Sequence, residues 1–195
     1  IQRAADERGA VVYLEVRDWA IDPALRSSLL GEHQVRKANL AWQMLHRQDA
    51  LPVARASFLS GLTSAQWPGR IHELAPGPLI GTAQTWVDGA HNVEAARALA
   101  ALLDDHGRKH VVLGILANKD ADAIVAALAS HALSFTFVPV TDHAHHDPAE
   151  LAARFGGKAA VSLEEALRDL AEPRLIAGSL YLAGEALRLN GQLPD

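Results

Sequence analysis

The feature that most constrains the fold is a regular alternation of short apolar segments and helical segments after Arg70. After a short hairpin near 71–80, the predicted strands are 84–88, 110–116, 133–140, 158–161 and 174–177. The predicted helices are 93–105, 120–130, 148–155, 163–170 and 182–189. Short, nearly all-apolar strands that alternate with helices pair in parallel, and helices cover both faces of their sheet. The sequence therefore predicts an α/β fold with a Rossmann-like, doubly wound, mostly parallel sheet.

The N-terminal third of the chain does not predict a complete domain. It offers a short helical stretch that leads into one strand at 10–16, an amphipathic helix at 29–47 and a second short helix at 53–59, capped by Gly61. One strand cannot form a sheet by itself. Glycines and a proline between residues 61 and 70 mark the change of pattern, so we divide the chain into 1–65 and 66–195. Residues 1–65 are either a small appended subdomain or the end of a larger domain.

Composition excludes several classes of protein. The 195 residues carry a net charge of -5, which argues against nucleic acid as a partner because phosphate binding requires a basic surface. The absence of cysteine excludes disulfides and thiolate metal sites. No apolar run is long enough to cross a bilayer, and the polar start is unlike a signal peptide. We therefore expect a cytoplasmic protein without a membrane partner. Because the sequence begins with Ile1, we also expect a fragment of a longer protein.

Polar residues follow the first parallel strand. Asp88 ends it, and His91 and Asn92 open the next helix. A carboxylate at a strand tip can accept hydrogen bonds from ribose hydroxyls, although aspartate also caps helices for backbone reasons alone. His91 can contact a phosphate or sugar, and we expect Asn92 to cap the helix. Arg70, in a Pro-Gly-Arg linker, is either a phosphate ligand or a solvated arginine.

Two further strand tips and one histidine-rich loop offer candidate residues. Lys119 can face an anionic substrate, and Ser179 follows Gly178, which permits a close approach of ligand. The segment 142–147 contains three histidines and two aspartates, which are suitable metal ligands. Because two of the histidines are adjacent and lie on a loop, we predict a solvated loop and no metal site.

Four ordered motifs carry a resemblance to a known family. They are W-P-G-R at 67–70, D-G-A-H-N at 88–92, L-G-I-L-A-N-K-D at 113–120 and G-S-L-Y-L-A-G-E at 178–185. Together they resemble the folylpolyglutamate synthase/dihydrofolate synthase family, the folate branch of the Mur ligase superfamily. The resemblance implies that 66–195 is a Mur-ligase-like C-terminal domain. It also implies that 1–65 is the end of a central ATP-binding domain.

The resemblance implies an ATP-dependent ligase that adds L-glutamate to dihydropteroate or to the glutamate tail of a tetrahydrofolate, through an acyl phosphate. Arg70 and His91 would be catalytic, and Arg70, Asp88 and His91 would contact ATP. Lys119 and Ser179 would lie on the glutamate side. The G-x-x-x-x-G-K-[ST] phosphate loop is absent from the sequence. We expect that loop and the Mg²⁺ ligands upstream, and therefore expect an inactive fragment of a monomeric enzyme.

Two positions depart from the family pattern. Val93 stands where the family usually has proline, and Lys37 stands at the asparagine of an H-Q-x-x-N-A element that begins at His33. Two alternatives to a folate ligase stay open. One is a Mur-type peptidoglycan ligase, against which the D-G-A-H form argues, and the other is a non-catalytic Rossmann-like binding module. A phosphate loop encoded upstream would distinguish an enzyme from the binding module.

Overall fold

The computed structural model describes residues 2–192, and the chain divides into two compact units, Ile1–Gln66 and Trp67–Asp195. The first unit contains the helices α1 (Gln2–Asp6), α2 (Glu32–His46) and α3 (Arg55–Ser64). The buried Asn39 side chain joins α2 to the preceding loop, because it accepts a hydrogen bond from the Asp22 N–H and donates one to the Asp22 carbonyl. Trp42 packs against Phe58, which brings α2 and α3 together.

Two predictions for the first unit are wrong. The predicted strand at 10–16 is absent, and only an isolated bridge joins Glu15 to Trp19. No neighbouring strand is available to pair with this segment in the described part of the unit, and Val11 and Val16 stay exposed. Gly61 lies inside α3 rather than beyond its end. Glycine weakens a helix without forbidding it, so the helix continues to Ser64.

The second unit contains a six-stranded sheet in the order β1-β2-β6-β3-β4-β5. Its strands are β1 (His72–Glu73), β2 (Thr85–Val87), β3 (Lys109–Leu113), β4 (Ala132–Phe137), β5 (Lys158–Ala159) and β6 (Arg174–Ala177). All neighbouring strands are parallel except β1, which pairs antiparallel to β2. The predicted hairpin at 71–80 is therefore one short strand on β2, followed by a turn closed between Gly77 and Gly81.

Helices cover both faces of this sheet. They are α4 (Val93–Leu103), α5 (Ala121–Leu128), α6 (Pro148–Phe155), α7 (Leu163–Arg168) and α8 (Leu180–Leu189), with a 3₁₀ turn at Ala129–His131. One core contains the buried residues of α4, α5 and α6, and the other contains those of α7 and α8. Successive residues of a strand enter opposite cores, as Leu175 and Ile176 of β6 do. The predicted doubly wound α/β fold is confirmed.

The predicted strand 174–177 is confirmed as β6, whereas the other four predicted strands extend beyond the observed ones at their carboxyl ends. Ile115, Val138 and Val140 are buried although they lie beyond β3 and β4. Ile115 and Val138 still pack into the two cores of the sheet, so the apolar pattern extends past the last strand residue. The expected helix cap at Asn92 is confirmed, because its side chain accepts a hydrogen bond from the Ala95 N–H. Across residues 2–192, no helix has both the length and the apolar character needed to span a membrane.

Candidate functional site

The site forms where β2 ends and α4 begins, at the carboxyl edge of the sheet. Asp88 directly follows β2, and its backbone N–H donates to the Ile176 carbonyl of β6 at 2.9 Å. This contact continues the parallel ladder by one residue and fixes the direction of the Asp88 side chain. In open α/β sheets, ligands bind outside the carboxyl ends of strands where helices pass to opposite faces. The connections after β2 and β6 diverge in this way, because α4 packs on one face of the sheet and α8 packs on the other.

The Asp88 carboxylate is almost completely buried, with 6% of the residue exposed. Its Oδ1 accepts a hydrogen bond from the Ala90 N–H at 2.8 Å, and its Oδ2 accepts one from the Ile71 N–H at 2.9 Å. The first contact shapes the turn into α4. The second joins β2 to the segment that carries Arg70.

A turn at residues 68–71, which we call the Arg70 turn, lies directly against the β2 tip. The Gly89 N–H donates to the Gly69 carbonyl at 2.8 Å, and the Ile71 N–H donates to Asp88. Arg70 is thus held on both sides by hydrogen bonds to neighbouring residues. Gly69 has φ 79°, where glycine is favoured, and Ile71 has φ 45°, which is rare for a β-branched residue.

His91 lies on the turn between β2 and α4, and one of its ring nitrogens is already hydrogen-bonded. Its Nδ1 is 2.8 Å from the Gly89 carbonyl oxygen, which can only accept, so Nδ1 carries the proton. Nε2 has no partner within the described part of the chain. In the neutral ring this nitrogen is a hydrogen-bond acceptor, and in the protonated ring it is a second donor.

The hydrogen bonds of Asp88 bring the three predicted residues near one another, because its donors are Ile71, next to Arg70, and Ala90, next to His91. Burial raises the pKa of the Asp88 carboxyl. The hydrogen bonds from Ile71 and Ala90 and the charges of Arg70 and His91 oppose that rise in the pKa. The structure therefore brings Arg70, Asp88 and His91 together around one turn.

The tips of β6 and β3 approach the turn between β2 and α4, and each approach is made by a glycine. The Gly178 N–H donates to the Ala90 carbonyl at 2.9 Å, and a Cβ at Gly178 would lie 2.7 Å from the Gly114 carbonyl oxygen. Ser179 is fully buried, and its hydroxyl accepts a hydrogen bond from the Tyr181 N–H to cap α8. The predicted contact of Ser179 with glutamate stays a prediction, since the observed role of this side chain is structural.

Lys119 lies at the β3 tip, away from the Arg70 turn along the sheet edge. It is half-buried, and its ammonium has no partner among residues 2–192. The histidine-rich loop packs against this tip: the Ala117 N–H donates to the Ala144 carbonyl, and His146 Nε2 donates to the Lys119 carbonyl at 2.9 Å. The histidines of the loop are half-buried rather than fully solvated. In the part of the chain that the structure describes, no group of three or more histidines or carboxylates could hold a metal ion.

Sequence reasoning missed the contacts that fix this loop. The His143 ring lies 3.6 Å from the Tyr181 ring between centroids, and Thr141 Oγ1 donates to the Glu185 carboxylate at 3.1 Å. These partners lie about forty residues apart in the sequence, and no local pattern links them. The loop after β4 is therefore tied to both the β3 tip and the first turns of α8.

Comparison with known proteins gives the chain a family. It is 36% identical over 191 residues to a probable bifunctional folylpolyglutamate synthase/dihydropteroate synthase of Halobacterium salinarum, a match that covers 91% of this chain and 22% of that protein. The folylpolyglutamate synthase of Mycobacterium tuberculosis, solved with ADP and AMPPCP, has the same fold with a TM-score of 0.82 at 24% identity. This likeness covers all of the present chain and 52% of that one.

A second solved structure agrees with the first. The bifunctional folylpolyglutamate synthase/dihydrofolate synthase of Yersinia pestis, solved with AMPPNP and Mn, matches with a TM-score of 0.76 at 22% identity, over 96% of this chain and 49% of that one. The chain thus spans from about a fifth to about half of these relatives. The family model described as "Mur ligase, glutamate ligase domain" matches residues 78–182, more than half of the sequence, and the chain therefore belongs to the Mur ligase family through its glutamate ligase domain.

Proposed function

We propose that this chain is the C-terminal part of an ATP-dependent ligase that adds L-glutamate to dihydropteroate, to folylpolyglutamate or to both. The observation that carries the proposal is the grouping of Arg70, Asp88 and His91 around one turn at the β2 tip. The names of the relatives support it, since they are folylpolyglutamate and dihydrofolate or dihydropteroate synthases. We further propose that residues 1–65 end an ATP-binding domain of a cytoplasmic, monomeric enzyme.

In the proposed reaction, ATP phosphorylates a carboxylate to give an acyl phosphate, and the glutamate amine displaces the phosphate. Such a transfer depends mainly on positioning and on stabilisation of phosphate charge. The Arg70 guanidinium would supply fixed N–H donors to a phosphate. His91 would present Nε2 to the nucleotide, because Nδ1 is committed to Gly89. Asp88 would contribute to nucleotide binding, since it lies beside Arg70 and accepts a hydrogen bond from the Ile71 N–H.

The described residues fit a nucleotide better than a metal ion. Arg70 and His91 offer cationic or hydrogen-bonding groups to a phosphate, but no carboxylate cluster in residues 2–192 matches the oxygen ligands that Mg²⁺ requires. We therefore propose that the Mg²⁺ ligands and the phosphate loop belong to the portion that the longer relatives have in addition. When bound, Mg²⁺ would neutralise phosphate charge.

On the glutamate side, Lys119 is the stronger candidate. Its half-buried ammonium lacks an ion-pair partner in the described structure and could bind a carboxylate of the amino acid. Ser179 is fully buried where it caps α8, so glutamate would reach its hydroxyl only if the residues that cover it moved.

The test uses the natural gene product that contains these residues. We expect ATP hydrolysis that depends on both glutamate and a pteroate or folate acceptor. Arg70→Ala should lower kcat by about 10²–10³, as loss of one charged transition-state contact does. The matched control is Arg97→Ala, an exposed arginine on α4, which should retain kcat. Turnover that requires a UDP-linked muramoyl peptide instead would favour the peptidoglycan ligase, and an absence of turnover with every acceptor would favour the binding module.

A further inference from the structure

We propose that a cavity beside the edge strand β5 binds a small zwitterion, an α-amino acid with a short aliphatic side chain. The cavity is lined by α7 and by the paired strands β4 and β5, and its volume is about 200 Å³. Strand β5 lies four positions from β2 in the sheet, which is about 19 Å at about 4.8 Å per strand. The cavity is therefore separate from the Arg70 turn, and its ligand is independent of the proposed ligase function.

The size of the cavity limits the ligand to a small molecule. Sites for drug-sized ligands have volumes of about 300–1,000 Å³, and this cavity lies below that range at about 200 Å³. A molecule as large as a nucleotide or a folate is therefore excluded, whereas a single amino acid is not.

The wall of the cavity carries charges of both signs. Lys158 of β5 and Asp169 both line it, and neither side chain has an ion-pair or hydrogen-bond partner in the described part of the chain. Asp169 directly follows α7, at the end of the helix where free carbonyl groups also favour a cation. Glu165 of α7 adds a second carboxylate, which accepts a hydrogen bond from the Val161 N–H at 2.6 Å.

This distribution of charge selects a zwitterion. The two carboxylates would repel a simple anion, and Lys158 would repel a simple cation. A zwitterion avoids both penalties, because its carboxylate can bind the Lys158 ammonium while its own ammonium binds Asp169. We therefore assign the two charged groups of an amino acid to these two side chains.

An unpaired hydroxyl lies beside Lys158 in the same wall. Thr136 of β4 is opposite Lys158 in the strand register, lines the cavity and is only 4% exposed. Its hydroxyl has no hydrogen-bond partner among residues 2–192. Buried hydroxyl groups are normally hydrogen-bonded, so this one is available as a donor to the ligand carboxylate that Lys158 binds.

The rest of the wall is apolar and sets the preference for a side chain. It includes Ala160, which follows β5, and Ala166 and Leu170 of the α7 segment. Lys158 is the one cationic side chain among the described lining residues, so a second carboxylate on the ligand would face Glu165 without a partner. The cavity therefore favours an amino acid such as valine over glutamate.

The first experiment titrates L-valine into the 195-residue chain and follows the backbone amides by NMR. We expect saturable shifts at Lys158, Ala160 and Glu165, and no shift at Ala90 beside the Arg70 turn. N-acetyl-L-valine lacks the ammonium and L-valinamide lacks the carboxylate, so each should bind at least about tenfold more weakly. L-glutamate should also bind these residues more weakly than L-valine. Equal affinity for L-valine and either derivative, or the absence of saturable shifts around β5, would overturn the proposal.

The second experiment repeats the L-valine titration with variants of the cavity wall. Lys158→Met and Asp169→Asn should each weaken binding at least about tenfold, since each removes one charge that the ligand needs. Thr136→Val keeps the shape of the side chain, so it should weaken binding by about two- to tenfold and keep the urea midpoint of the wild type. Glu164→Gln is the matched control, because Glu164 is an exposed carboxylate of α7 that does not line the cavity. Wild-type affinity in either Lys158→Met or Asp169→Asn would show that L-valine binds elsewhere.

Discussion

At the residue scale, the Asp88 carboxyl is both an ionisable group of the site and the acceptor of two backbone N–H groups. Asp88 was identified in the sequence because it follows an apolar strand and precedes a helix pattern. Its hydrogen bond to Ile71, seventeen residues earlier, follows from the position of β1 beside β2, which no local pattern reveals. Sequence reasoning therefore identified the residues around this turn and left their division of labour open.

The pH dependence of stability tests the burial of Asp88. Because burial raises its pKa, the folded state keeps the Asp88 proton to a higher pH than the unfolded state. The resulting stabilisation is complete below the unfolded pKa and is lost as pH rises through the folded pKa. We expect the unfolding free energy of the wild type, relative to Asp88→Asn, to fall across that interval. Urea denaturation of both proteins over a pH series measures this difference, and a difference that is flat or rises with pH would contradict the expectation.

The same carboxyl can report on Arg70. The positive charge of Arg70 lowers the pKa of Asp88, so Arg70→Ala should raise that pKa further. A carbon-detected NMR titration of the Asp88 carboxyl in the 195-residue chain measures the midpoint directly. Arg97→Ala should leave the midpoint where it is, since Arg97 does not contribute to the Asp88 pKa. An identical midpoint in Arg70→Ala would place Arg70 too far from Asp88 for the proposed site.

At the element scale, the alternating strands and helices were predictable because β2, β3 and β6 are largely buried on both faces and each helix from α4 to α8 begins after a polar cap residue. The caps at Asn92 and Asp120 follow local rules, and both are present. The failed strand at 10–16 had the right residue types without a pairing partner, and pairing is not a property of the segment itself. The short β1 could not be placed either, since two residues carry no usable periodicity.

Substitution of two glycines by alanine tests two different effects, a steric clash at Gly178 and helix propensity at Gly184. Gly178 has φ 101°, and a Cβ there would meet the Gly114 carbonyl at 2.7 Å, so Gly178→Ala should destabilise the chain by about 1–3 kcal/mol. Gly184 lies in α8 with open space around the Cβ position, and Gly184→Ala should stabilise it by about 0.5–1 kcal/mol. Thermal and urea unfolding of both variants checks the opposite signs. Equal effects would show that the β6 tip tolerates a side chain beside β3.

At the scale of the whole molecule, the two units differ in how much apolar surface they bury. The second unit contains two cores, one on each face of its sheet. Among the described residues of the first unit, the buried hydrophobic side chains are Leu25, Val35 and Ala38. Its exposed large hydrophobic residues are Val11, Tyr13, Leu14, Val16, Ile21, Leu30, Leu40, Met44, Leu51 and Leu59. The pattern of strands and helices indicated only that the first unit is an incomplete domain, because burial depends on partners that a sequence does not show.

We therefore expect the two units to behave differently when separated. A fragment of residues 67–195 should unfold in one cooperative transition, since its cores lie within it. A fragment of residues 1–66 should show no cooperative transition, because so small a core cannot offset the conformational entropy of its chain. Calorimetry measures both, and tryptophan fluorescence follows each separately, through Trp19 and Trp42 in one fragment and Trp67 and Trp86 in the other. A cooperative transition in 1–66 would make it an independently folding subdomain and would contradict its proposed origin as the end of a larger ATP-binding domain.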